Sequence, residues 1–201
     1  MNSSTLPELN SLQRRKRAAI LDGARSVFLR QGFGLATMDD VAAVAGVGKQ
    51  TVYRHFKSKE ALFVGLVGSM CAQVGGSLVS AQHEQSAGSP DVELRDLGWA
   101  LAQILIEPDY LRLYRAIVAE AERLPELGEV FYENGAKVVR AFAAKILRKR
   151  FDESTAALRA ATFVQLVLGD AYLELSIGYT VPDVEARFAL QIDEAVAAAL
   201  R

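Results

Sequence analysis

Apolar residues recur at helical spacing along most of this chain, and no segment alternates convincingly with a period of two. Ile20, Ala24, Val27 and Phe28 place one apolar face on a helix over about 14–31. Two short helices, about 38–45 and 49–55, follow on either side of Gly46, where a left-handed residue stops the first. Thr37 is positioned to cap that helix, and Asp39 and Asp40 stand in its first turn, where negative charge is favoured. Ser58 caps a helix reaching about residue 82, and residues 86–90 read as a loop. Helices over about 91–106 and 109–122 are separated by Glu107-Pro108. Leu124-Pro125 opens a long helix with the stripe Leu127, Phe131, Asn134, Val138 and Phe142. Helices over about 153–178 and 183–200 complete an all-α pattern of about nine helices. Residues 1–13 carry no period and read as a flexible arm. No internal repeat emerges.

The short pair differs chemically from the rest. Val41, Ala42 and Ala45 form a small apolar face that lets another helix approach closely. On the second helix Lys49, Gln50, Tyr53 and Arg54 point outward and Val52 and Phe56 inward. Two short helices across a glycine turn, the second rich in long polar side chains, suit a reader of the DNA major groove. Lysine donates to guanine O6 or N7, glutamine pairs with adenine, and a tyrosine offers its ring to a thymine methyl. Charge sharpens the picture. The chain of 201 residues has a net charge of −1, yet residues 1–60 hold ten Lys and Arg against five acids, and residues 61–201 hold thirteen against nineteen. A basic N-terminal module on an acidic body fits a duplex-facing end and a separate regulatory end. Arg14 to Arg17 add a basic run for the backbone or minor groove, with Arg17 nearest the reader pair.

The residues that carry a family likeness are Thr37, the run Ala42 to Val47, Thr51 to Phe56, and Lys59-Glu60-Ala61-Leu62. Upstream, Ile20-Leu21, Ala24, Phe28 and Gly32-Phe33 join them. In these the chain resembles the DNA-binding domain of the TetR/AcrR family of repressors. The run Glu120 to Leu127 resembles a branch with an AefR-like C-terminal domain. The resemblance implies an N-terminal three-helix DNA-binding domain with a helix-turn-helix over 14–57, and a helical ligand-binding and dimerisation domain over 58–201. It implies duplex contacts by Thr37 and Gly48, and phosphate contacts by His55 and Lys59, beside the readers Lys49, Gln50, Tyr53 and Arg54. The family usually has Ser or Thr near Gly48, so a hydroxyl cap is missing there.

The same resemblance assigns the body two tasks. The last two helices bear apolar residues on more than one side: Phe163, Val167 and Tyr172, then Val184, Phe188, Ile192 and Ala195. The family pairs these helices into a homodimer, and two half-sites need two readers. Phe63, Leu66, Met70, Trp99 and Leu105, with Tyr110, Tyr114, Ile117 and Phe131, are candidates for an apolar effector cavity. Glu120, Asn134, Gln165 and Asp170 are the polar groups expected to face it. The function implied is a ligand-responsive regulator, a repressor on a palindromic operator. A DNA-binding dimer without small-molecule control, or an activator, is the alternative.

Enzyme chemistry finds no footing. Gly46-Val47-Gly48-Lys49 has the look of a phosphate loop, but Gln50 stands where Ser or Thr should follow the lysine, and no strand precedes it. Two histidines and the single Cys71 form no metal or triad constellation, so no cofactor or metal is expected. A lone cysteine fits a reducing cytoplasm, and no window reaches the ~18 uninterrupted apolar residues of a membrane span.

Overall fold

The computed structural model describes residues 10–84 and 88–201. The start of the expected arm, residues 1–9, and part of the expected loop at 86–90 lie outside the described residues. The described chain is helical throughout and divides into two compact units between Ser69 and Met70.

In the first unit α1 spans Ser11–Leu35, α2 Met38–Ala45 and α3 Lys49–His55. Asn10 starts α1: its side chain accepts from the Gln13 backbone N–H, and the Gln13 side chain accepts from that of Asn10, both at 2.8 Å. The helix therefore begins three residues earlier than the basic run suggested. Gly32, at φ +79°, breaks the helical path at the expected end. Gly46 closes α2 at φ +64°, a left-handed conformation that glycine takes without a Cβ penalty. Ile20, Ala24, Val27, Val41 and Val52 are fully buried between these helices. Gly23 lets α1 meet Ala45, where a Cβ would lie 3.0 Å from the alanine's own.

Helix α4, Lys59–Glu84, supplies both units. Its first turns bury Leu62, Phe63 and Leu66 in the first core, where Phe63 stacks on Phe33 at 5.0 Å and meets Phe28 edge-on. By length and composition the stretch Lys59–Leu78 could cross a membrane. In the folded chain Leu62, Phe63, Leu66 and Val67 instead fill the interior.

The second unit adds α5 (Pro90–Ile106), α6 (Pro108–Glu120), α7 (Pro125–Phe131), α8 (Lys137–Leu147), α9 (Glu153–Ser176) and α10 (Val184–Leu200). A π-helical turn at Tyr132–Ala136 joins α7 to α8, so Pro125–Leu147 is one helix with a bulge. Counted so, the described residues hold nine helices. The bulge inserts one residue into the helical register and rotates everything after it by about 100°. The expected stripe Asn134, Val138, Phe142 therefore gives way to Gly135, Val139 and Ala143, and Asn134 is exposed. Asp152 caps α9 by accepting from the Ser154 and Thr155 backbone N–H groups, each at 3.0 Å.

Helix α9 lies between α8 and α10, and α5 packs on α9 and α10. Phe163, Val167, Phe188, Ile192 and Ala195 are buried to 1% exposure or less within this single chain. They were expected at the dimer face, and that expectation fails. Core demand is larger than the periodicity suggested, because α9 must satisfy four neighbouring helices, α5, α6, α8 and α10, at once. Val184 packs against the same core, and Tyr172 faces a cavity. On α9 and α10 the large apolar residues left outside are Leu158, Leu173 and Leu190, each at least 60% exposed.

Candidate DNA interface and effector cavity

The reader helix stands as its pattern requires. Val52 and Phe56 are buried, and Gly48, Lys49, Gln50, Tyr53 and Arg54 are exposed. The Gly48 position carries no side-chain cap. Lys49 Nζ pairs with Asp39 of α2 at 2.9 Å and lies 6.0 Å from the Tyr53 ring centroid. This exposed pair fixes a direction for Lys49 more than it adds stability.

Three expected contacts have other partners in the free protein, and a fourth, His55, is held neutral. The Thr37 hydroxyl donates to Asp40 Oδ2 at 2.8 Å and accepts from the Asp40 backbone N–H, and the Thr37 N–H donates back to the same carboxylate. These bonds hold the Asp40 carboxyl below its ordinary range, and Thr37 serves as a cap. Lys59 donates to the carbonyls of Phe33 and Gly34 at 2.8 and 3.2 Å and lies over the Phe33 ring. Its ammonium satisfies the end of α1. The Arg17 guanidinium stacks on Phe56 at 4.4 Å. His55 is half-buried, and its Nε2 has no hydrogen-bond partner. Burial, then Arg54, Arg17 and Lys16, push its pKa below the ordinary 6.5. The imidazole is thus held neutral, not cationic as a phosphate contact would prefer.

That shift carries a pH dependence. Between its folded value and 6.5 His55 binds more protons unfolded than folded, so stability gained at higher pH is lost as pH falls through 6.5. Chemical denaturation between pH 7.5 and 5.5 should show this loss, and His55→Gln should flatten it. An equally steep loss in that variant would place the cause elsewhere.

Within the second unit α4 to α9 enclose a cavity of about 200 Å³. Leu105, Tyr110, Tyr114, Phe131 and Gln165 line it, as expected from the sequence. Tyr114 stands 5.3 Å from Tyr172 and 5.9 Å from Phe131 between ring centroids, and Tyr110 is 6.5 Å from Phe131. The Tyr110 and Tyr172 hydroxyls are hydrogen-bonded to each other. Burial pushes the Tyr110 pKa up to about 12, and that of Tyr172 up as well, so both keep their protons. Burial also raises the Cys71 thiol to about 11, which leaves it unreactive.

The other expected effector residues lie elsewhere. Phe63 and Leu66 fill the first core, and Ile117 is buried outside the cavity. Trp99 packs against the second core, and Met70 is half-buried away from the lining. Glu120 pairs with Arg123, Asn134 donates to the Val130 carbonyl, and Asp170 is exposed. Sequence reasoning missed Cys71, Leu101, Tyr132, Arg140, Leu168 and Tyr172 as lining. One signal was available: Gly135 sits in mid-helix, and a Cβ there would come 3.4 Å from Cys71 Sγ. A glycine kept in a helix interior marks a close approach.

Residues 20–66 match the family described as bacterial regulatory proteins, tetR family, and residues 92–201 match the AefR-like transcriptional repressor C-terminal domain. The chain belongs to the TetR family of transcriptional regulators. A putative TetR-family regulator of Mesorhizobium loti superimposes with a TM-score of 0.85 at 28% identity, over 95% of this chain and 98% of that one. The flavonoid-responsive regulator FrrA gives 0.67 at 30% identity, over 93% and 94%. IcaR, the negative transcriptional regulator of the icaADBC biofilm operon in Staphylococcus aureus, is 25% identical over 74% of this chain and 76% of its own. Other curated helix-turn-helix regulators, including YhgD of Bacillus subtilis, are spanned over only about a quarter of their length. As a TetR-family member this protein is a DNA-binding regulator of transcription, with its helix-turn-helix in α2 and α3.

Proposed function

We propose that this protein is a cytoplasmic repressor that binds a palindromic operator as a homodimer and leaves it when a small, largely apolar effector enters the C-terminal cavity. The observation that carries this reading is the cavity itself, built almost wholly of aromatic and aliphatic side chains in the unit that lacks the reader. IcaR supports repression by its name, and FrrA supports an effector of aromatic type by its own. Helix α4 is the natural carrier of the signal, since it supplies Phe63 to the first core and Cys71 and Val74 to the cavity. A ligand that favours one position of this helix shifts the spacing of the two readers, which must match about one duplex turn, ~34 Å.

The test begins with an operator selected from random duplexes by the purified protein. An effector drawn from a panel of aromatic compounds should weaken operator binding by about five- to 150-fold. Val164→Phe, which fills part of the cavity, should lose most of that response. If no compound changes operator affinity, the sensor reading fails and a DNA-binding dimer remains.

A further inference from the structure

Arg140 is the cationic side chain in the cavity lining, and no Asp or Glu lines it. Its Nη1 donates to the Tyr132 hydroxyl at 3.2 Å, and its guanidinium lies 5.7 Å from that ring's centroid. Its Nε is buried and has no acceptor. No carboxylate pairs with it among the described residues. A buried guanidinium N–H without an acceptor is costly, and a planar carboxylate matches the guanidinium fork in two parallel hydrogen bonds. The tyrosines cannot supply the missing charge, because Tyr110 and Tyr172 remain protonated at neutral pH.

Position and size narrow the ligand further. Arg140 and Tyr132 belong to the bulged helix, and Tyr132 and Gln165 are exposed, so this polar edge meets solvent. The half-buried rings of Tyr110, Tyr114, Phe131 and Tyr172 cluster in the same lining, with neighbouring centroids 5.3 to 6.5 Å apart. A cavity of about 150 Å³ holds a benzene. One of about 200 Å³ has room for a ring with a short chain. We propose that the effector is an aryl carboxylic acid, its ring among Tyr110, Tyr114, Phe131 and Tyr172 and its carboxylate on Arg140. This rests on the reading of the cavity as the effector site. It adds a required negative charge.

Calorimetric titration of the full chain with 4-hydroxycinnamate, 4-hydroxycinnamamide and flavone tests it. The acid should bind at least about tenfold more tightly than its uncharged amide, the difference made by a charge-assisted pair. Arg140→Gln should erase that preference, and Arg140→Lys should keep part of it. Should the glutamine variant misfold by circular dichroism, the lysine variant and the acid-to-amide ratio of the unaltered protein decide. Equal affinity for acid and amide overturns the proposal, as does a preference that survives in Arg140→Gln. Flavone binding as tightly as the acid overturns the required charge and leaves the cavity an effector site for uncharged aromatics. Failure of all three compounds to bind overturns the proposal and removes the support for the sensor reading as well.

Discussion

Tyr53→Ala and Gln50→Ala should each weaken specific operator binding sharply and leave the fold unchanged. Both side chains are exposed on α3, and neither contributes to the core formed by Val52 and Phe56. A base-edge contact is worth ~1–3 kcal/mol, and a two-fold dimer loses it in both half-sites, for a total of ~2–6 kcal/mol. That is roughly 30-fold to 25,000-fold in affinity. Binding to random duplex falls far less, because phosphate contacts supply most of it. Gel-shift titration on the selected operator and on a scrambled duplex, with circular dichroism as the control for folding, checks both statements. Undiminished operator affinity in both variants would remove α3 as the reader.

Leu173→Glu combined with Leu190→Glu should yield a folded monomer with poor operator affinity. These residues are 60% and 71% exposed on α9 and α10, so a charge there costs the single chain little. In an isologous interface the same charge is buried on both subunits at once. The contrast is Phe188→Glu together with Ile192→Glu. Both residues are buried in the protomer at 1% and 0% exposure, so this pair unfolds the second unit instead of splitting a dimer. Light scattering for mass and thermal melting for folding separate the two outcomes. A dimer that survives Leu173→Glu with Leu190→Glu would move the interface away from these helices.

The DNA-binding end was legible in the sequence because its determinants are local. Gly46, the Thr37 cap and the outward set Lys49, Gln50, Tyr53 and Arg54 depend on helical spacing and turn chemistry within twenty residues. The partners of Thr37, Lys59 and His55 were not legible. Lys59 reaches carbonyls 25 and 26 residues upstream, and His55 is shaped by burial first and, after Arg54, by Arg17 and Lys16 from another helix. No spacing rule announces such meetings.

By itself the sequence determined an all-α chain of about nine helices, the placement of the helix-turn-helix and a basic end on an acidic body. It did so because apolar period, glycine stops and charge counts are properties of neighbouring residues. Tertiary structure alone decided which apolar stripe is core and which is left for a partner, since burial depends on how many helices surround each one. Phe163 and Phe188 went inside because α9 and α10 are enclosed by α5 and α8, which left Leu158, Leu173 and Leu190 outside. It also decided which residues meet in the cavity. A single extra residue in the π-turn at Tyr132–Ala136 rotates the following helix, turning Asn134 outward and bringing Val139 and Arg140 to the cavity wall.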